Sequence, residues 1–150
     1  MQKIFKYAII RQNFLKEKAV EDISAYKLAC CIARTLDNKK GGDIKILNIA
    51  NVSVLADYFV ICSGDSATQV KALSEYAKTK MKEVFQRIPC GDEKDIKNRW
   101  NLIDYGDVVV HVLHKEERET YAIEKFWNHA FTVEEEKWLA ESEVFEDLLR

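Results

Sequence analysis

The residues able to do chemistry fall in a few places along the chain. Asp104 and Asp107 bracket Tyr105-Gly106, and the sharpest use of such a pair is metal binding or acid–base work. A tight turn favours Asp for another reason, the bonds it makes to its own backbone. No third carboxylate stands beside the pair to complete a two-metal site, so turn chemistry is the preferred reading. His111 and His114 are three apart in an apolar run that reads as a strand, so they point to opposite faces and cannot chelate one ion together. His111, among Val109, Val110 and Val112, reads as a hydrogen-bonded sheet residue. Ser63-Gly64-Asp65-Ser66 joins a strand to a helix, and the free amides of a helix start attract phosphate. A single glycine with no following lysine falls far short of a P-loop, and a Ser or Asp cap is expected there instead. Cys30, Cys31, Cys62 and Cys90 form no Cys-x-x-Cys pair and have no histidine at zinc-finger spacing. They read as small buried hydrophobes of a reducing compartment, with Cys62 in a strand that offers no electropositive neighbour to activate it. No metal and no cofactor are expected.

What this leaves is aromatic and charged residues that a core does not need. Trp100, Tyr105, Tyr121 and Trp127 are interleaved with Asp104, Asp107, Arg118 and Glu124, the composition of a binding hot spot. On a continuous helix Arg118, Tyr121 and Glu124 share one flank, which places a polar stripe beside a hairpin. The bland alternative is that the two tryptophans anchor their strand and helix, half buried. As hot-spot residues, Tyr105→Ala and Asp104→Lys are expected to weaken binding by about 1–3 kcal/mol while the fold survives.

The elements that position these residues follow from periodicity. Ser24 caps a helix to Leu36, with apolar residues at 28, 31, 32 and 36. Lys39-Lys40-Gly41-Gly42 ends it, with glycines able to take positive φ. Residues 43–49 read as a strand buried on both faces and 57–62 as a second strand. A long helix follows with Val70, Leu73, Ala77, Met81 and Val84 as its stripe. Residues 87–99, with the lone Pro89, read as the longest irregular loop. Two strands joined at Asp104-Tyr105-Gly106-Asp107 come next, then a helix over about 116–130 and a final helix over about 133–149. This order predicts an α+β domain, a mixed sheet flanked by helices in a three-layer α/β/α-like arrangement.

Charge divides the 150 residues more sharply than composition does. Residues 1–20 carry a net +4 and residues 131–150 a net −5. The reading is therefore a basic arm at 1–23, a domain at 24–130 and an acidic C-terminal helix at 131–150. The near-neutral body argues against direct nucleic-acid binding, which rewards clustered Lys and Arg, and no apolar run reaches the length of a membrane span. Residues 1–16 hold four bases and no acid, which raises an organelle presequence, yet they contain one arginine and no Ser or Thr. A cytoplasmic protein is the first expectation, a mitochondrial or other organelle matrix the second.

Three blocks resemble the ribosomal silencing factor family, RsfS or Iojap. They are Ala56-Asp57-Tyr58-Phe59-Val60-Ile61-Cys62-Ser63-Gly64-Asp65-Ser66 through Gln69-Val70, then Trp100-Asn101-Leu102-Ile103-Asp104-Tyr105-Gly106-Asp107-Val108-Val109-Val110-His111-Val112, then Arg118, Tyr121, Ile123, Glu124 and Trp127. Cys90 stands where the family usually carries an acid. The resemblance implies a fold similar to that of nucleotidyltransferases and a non-enzymatic translation repressor. Its implied partner is the large ribosomal subunit, met through a β-barrel protein on the intersubunit face so that the small subunit cannot join. It also leaves room for a homodimer when the protein is free. The alternative from the residues alone is a divergent nucleotidyltransferase-like, nucleotide-binding enzyme acting through Ser63-Gly64 and nearby carboxylates.

Overall fold

The computed structural model describes residues 23–150, so all of the expected basic arm except Ile23 lies outside the described residues. The described chain is an α+β domain built on one six-stranded mixed sheet. Its elements are α1 (Ala25–Asn38), β1 (Gly42–Asn48), β2 (Tyr58–Gly64), α2 (Ala67–Phe85), β3 (Gly91–Glu93), β4 (Trp100–Asp104), β5 (Val108–His114), α3 (Lys115–Tyr121), α4 (Ile123–Phe126), β6 (Phe131–Val133), α5 (Glu135–Ser142) and a closing 3-10 turn, Glu143–Phe145. The strands lie in the order β3-β4-β5-β2-β1-β6. Among the described strands only β2 and β5 run parallel; every other neighbouring pair is antiparallel.

Alternation along β5 separates two cores. Val108, Val110 and Val112 face one side, with Val60, Cys62 and Ile46, under α1, α2 and α5. Val109 and Leu113 face the other, with Leu47, Phe59 and Ile61, under Ile123, Trp127 and Ala130. The first side is fully roofed. Leu28 to Leu36 of α1 are buried without a break, because α5 covers the flank that a surface helix would show to water. Two polar residues in that run are satisfied: Thr35 Oγ1 donates to the Cys31 carbonyl at 2.7 Å, and Arg34 donates through Nε to Ser142 Oγ at 2.7 Å and through Nη2 to the Leu139 carbonyl at 2.6 Å. The acidic C-terminal stretch is thereby clasped to α1, with Trp138 and Leu149 in the main core.

Four local expectations need correction. The segment 87–99 is not wholly irregular, since Gly91–Glu93 pairs with β4. The final helix is shorter than periodicity suggests: Phe131–Val133 is taken as an edge strand by β1, and the helix spans only Glu135–Ser142. The helix after β5 is broken at Ala122, which takes φ 45°. At the end of α1 the positive φ values fall on Lys40 and Asp43 rather than the glycines. Gly41 is needed for space, because a Cβ there would run into Cys62 Sγ and the Leu36 carbonyl.

Candidate functional site: the half-open face of the sheet

The second face of the sheet is only half roofed. The segment 115–130 covers β5, β2 and β1 but reaches the outer strand β4 only at Trp100, through Tyr121. By strand alternation Trp100, Leu102 and Asp104 share this face, and all three are partly exposed. Trp100 and Leu102 line an open groove of about 370 Å³ with Glu93 and Asp95.

Aromatic rings tie this groove to the roof. Tyr121, 58% exposed, lies against Trp100 with ring centroids 5.2 Å apart. Trp100 Nε1 donates to His111 Nδ1 at 3.2 Å, His111 meets Phe59 edge-on at 4.7 Å, and Phe59 meets Trp127 edge-on at 5.3 Å. Edge-to-face geometry suits the ring quadrupoles. His111 is the hydrogen-bonded sheet residue expected of it. Burial pushes its pKa down to about 4, so the imidazole is neutral and Nδ1 is free to accept. His114 sits on the opposite face and caps α3, its Nδ1 accepting from the Glu116 amide at 3.2 Å.

The residues singled out from sequence therefore divide into three groups. Trp100, Tyr121 and Trp127 belong to the aromatic series, with Asp104 at the far end of β4, about 13 Å along the strand from Trp100. Asp104 makes the turn bond expected of it, its Oδ1 accepting from the Gly106 amide at 2.7 Å, with Gly106 at φ 88°.

Tyr105 and Asp107 form the second group. The Tyr105 side chain is 6% exposed and packs in the helix-side core, its hydroxyl buried without a partner among the described residues; burial pushes the phenol pKa up. Its replacement by alanine therefore opens the core rather than trimming a surface, and so bears on folding as well as on binding. Arg87, which nothing in the sequence marked, bonds the Tyr105 carbonyl at 3.2 Å and Asp107 Oδ1 at 2.8 Å.

Arg118 and Glu124 form the third group, at the opposite end of the sheet. The αL residue Ala122 breaks the helix after Tyr121, so Glu124 folds back onto Arg118 instead of continuing along the same helix. Arg118 and Tyr121 stay one turn apart on α3, and only Glu124 leaves the expected flank. Arg118 is 7% exposed; its Nε donates to Glu124 Oε1 at 2.8 Å and its Nη1 to Ser63 Oγ at 2.9 Å and the Gly42 carbonyl at 3.3 Å. Burial alone would raise the Glu124 carboxyl, but a backbone bond and the guanidinium outweigh it and hold the pKa below the usual range. Arg118 is also the electropositive neighbour that Cys62 was expected to lack. Burial overrides it and pushes the Cys62 thiol up to about 12, leaving it a poor nucleophile. The Ser63–Ser66 turn is a cap as expected: Ser66 Oγ accepts from the Gln69 amide at 3.1 Å, and Gln69 Oε1 accepts from the Asp65 amide at 2.6 Å.

Sequence reasoning missed two further ties that fix the groove. Asn101 is buried, donating to Ser74 Oγ and to Asn98 Oδ1, each at 3.2 Å, and so pins β4 to α2. Arg99 reaches Glu116 and Glu117 of α3 at 2.6 and 2.7 Å. A lone arginine before a tryptophan carries no periodic signal that predicts this.

Residues 21–147 match the family described as ribosomal silencing factor during starvation, RsfS. The ribosomal silencing factor RsfS of Halalkalibacterium halodurans is 40% identical over 112 residues, covering 75% of this chain and 95% of the relative. The ribosomal silencing factor RsfS of Bacillus subtilis is 42% identical over 98 residues, covering 65% and 82%. A crystal structure of a Chromobacterium violaceum protein superposes with a TM-score of 0.67 at 33% identity, covering 71% of this chain and 88% of that one.

Proposed function

The chain belongs to the ribosomal silencing factor family, and from that premise we propose that it is a non-catalytic translation repressor, which binds the large ribosomal subunit and excludes the small subunit by volume. The observation that carries this reading is the half-open sheet face. A sheet face only partly covered beside an aromatic series, with Tyr121 presented outward, has the make-up of an interface core. The acids at its margin, Glu93, Asp95 and Asp104, outnumber Lys94, which lines the groove with them, and favour a basic partner, since complementary charge aids encounter and register.

The partner is a β-barrel ribosomal protein on the intersubunit face, met by Trp100, Tyr121, Trp127 and Asp104. Tyr105, Asp107, Arg118 and Glu124 act behind that surface by holding the turn and the broken helix in place. A free homodimer would hide the same groove. The protein works beside ribosomes in the cytoplasm, or in an organelle matrix where the basic residues 1–16 direct it there. Among the described residues no helix is long and apolar enough to cross a membrane.

The experiment is co-sedimentation of the full chain with isolated large subunits at near-physiological salt, followed by addition of small subunits. Binding with loss of assembled ribosomes is the expected result. Absence of binding to large subunits would remove the proposal.

A further inference from the structure

α5 packs on α1 through Trp138 and Ser142, and its outer side has no partner among the described residues. Glu134, Glu135 and Glu136 are exposed at its start, and Glu143, Val144 and Leu148 beyond its end. Val144 and Leu148 stand out as apolar side chains 82% and 57% exposed. The ion pairs of this stretch involve only Glu146 and Asp147, with Arg34 and Arg150. The carboxylates of Glu134, Glu135, Glu136, Glu141 and Glu143 therefore have no cation paired with them among the described residues, and the one cation of α5 is Lys137. At the start of α5, Glu135 shares an open cleft of about 200 Å³ with Asp37 and Asp43, and no cation lines it; Asp43 alone of the three is approached by a guanidinium, that of Arg118 at 3.5 Å. Like charges this close repel one another, and a cationic cover relieves the repulsion.

The chain itself carries a segment of matching chemistry. Residues 1–20 lie outside the described residues and ahead of the family match, which begins at residue 21. They carry a net +4, from Lys3, Lys6, Arg11, Lys16 and Lys18 against Glu17. Between these bases stand Ile4, Phe5, Ile9, Ile10 and Phe14, apolar residues to set against Val144 and Leu148. The point of attachment is also right. Ile23 is buried in the helix-side core just ahead of α1, and the far end of α5 is close by. There burial raises the pKa values of Tyr26 and Cys30 to about 12 each, and the Glu141 carboxylate adds to it. Asp37 and Glu135 lie toward the other end of α1, a 14-residue helix about 21 Å long. Twenty residues span about 30 Å even when helical and roughly 70 Å when extended, so the segment reaches the whole of this face.

We propose that residues 1–20 dock in cis on the outer side of α5 and the turn that follows it. Their lysines and Arg11 take the carboxylates of Glu134, Glu135, Glu136 and Glu143, and their apolar residues cover Val144 and Leu148. Exposed ion pairs are weak one at a time, but attachment at Ile23 holds the segment at a high effective concentration, so several weak pairs suffice. This face belongs to the helix-covered side of the sheet, away from the Trp100 groove. The arm and a ribosomal partner therefore do not compete for one surface.

The test is a paramagnetic broadening experiment on the full chain without ribosomes, so its failure leaves the docking reading untouched, and the reverse. A nitroxide is placed on Tyr7→Cys in a Cys90→Ser background, which removes the exposed thiol and leaves three buried ones. At about 0.1 M salt the amide signals of Glu135, Glu136 and Val144 should lose intensity, and those of Trp100 and Leu102 should keep it. The loss should vanish near 1 M salt, where the screening length falls from about 10 Å to about 3 Å. Glu135→Lys with Glu136→Lys and Glu143→Lys, all exposed positions, should abolish it at low salt. Adding Lys3→Glu, Lys6→Glu and Arg11→Glu to that variant should bring it back. Broadening spread evenly over both faces, or broadening at α5 that the triple reversal does not move, overturns the contact. Broadening seen only when a labelled copy is mixed with an unlabelled one puts the arm on a second copy and overturns docking in cis.

Discussion

Tyr121→Ala tests the docking face most directly, because the structure assigns it separate costs for folding and for binding. The residue is 58% exposed and its ring rests on Trp100. A tyrosine side chain presents roughly 200 Å², so the part already covered is about 80 Å² and the part still free about 115 Å². At about 25 cal/mol per Å², removing the ring costs about 1–2 kcal/mol of stability, less than a core substitution. Covering the free part against a partner is worth at most about 3 kcal/mol, so docking should weaken about 5- to 150-fold. Urea denaturation reads the first number through the midpoint at constant slope; co-sedimentation with large subunits at fixed salt reads the second. Tyr121→Phe keeps the ring and should keep most of the affinity. If Tyr121→Ala lowers stability as stated while binding changes by less than about twofold, the aromatic series is only core and the docking face lies elsewhere.

Tyr105→Phe removes a buried hydroxyl that has no partner among the described residues, so it should stabilise the fold by about 1 kcal/mol in denaturation, whereas Tyr105→Ala should cost about 3–5 kcal/mol. His111 is held neutral with a pKa of about 4, below its unfolded value of about 6.5. The unfolded chain therefore binds the extra proton first. The contribution is whole above about pH 6.5 and is lost as pH falls toward 4, by at most about 1.4 kcal/mol per pH unit and about 3 kcal/mol in all. The stability–pH curve of His111→Gln, subtracted from that of the parent, should isolate that slope; parallel curves would refute it. Arg34→Ala breaks the clasp on α5, and a loss of about 2–4 kcal/mol with exposure of Trp138 to fluorescence quenchers is expected.

The parts of this fold legible in sequence are those where one element decides its own fate. α1 and α2 begin at Ser24 and Ser66, where a serine side chain closes a free amide. The turn at Asp104–Gly106 is local chemistry too. The illegible parts are decided at a distance. Phe131–Val133 is a strand only because β1 offers it an edge, and Gly91–Glu93 only because β4 does. The break at Ala122 has no breaker residue to announce it. What surrounds it is the ion pair between Arg118 and Glu124, on either side of the turn, and the carbonyl and hydroxyl from β1 and β2 that complete the shell of Arg118. The same contact explains why the candidate site was read as one surface. A continuous helix would carry Arg118, Tyr121 and Glu124 on one flank. Arg118 and Tyr121 both precede the break, and what it moves is Glu124, brought back onto Arg118 while Tyr121 lies on Trp100. One αL residue thus takes Glu124 off the predicted stripe and into an ion pair with Arg118, and leaves Tyr121 to the aromatic face.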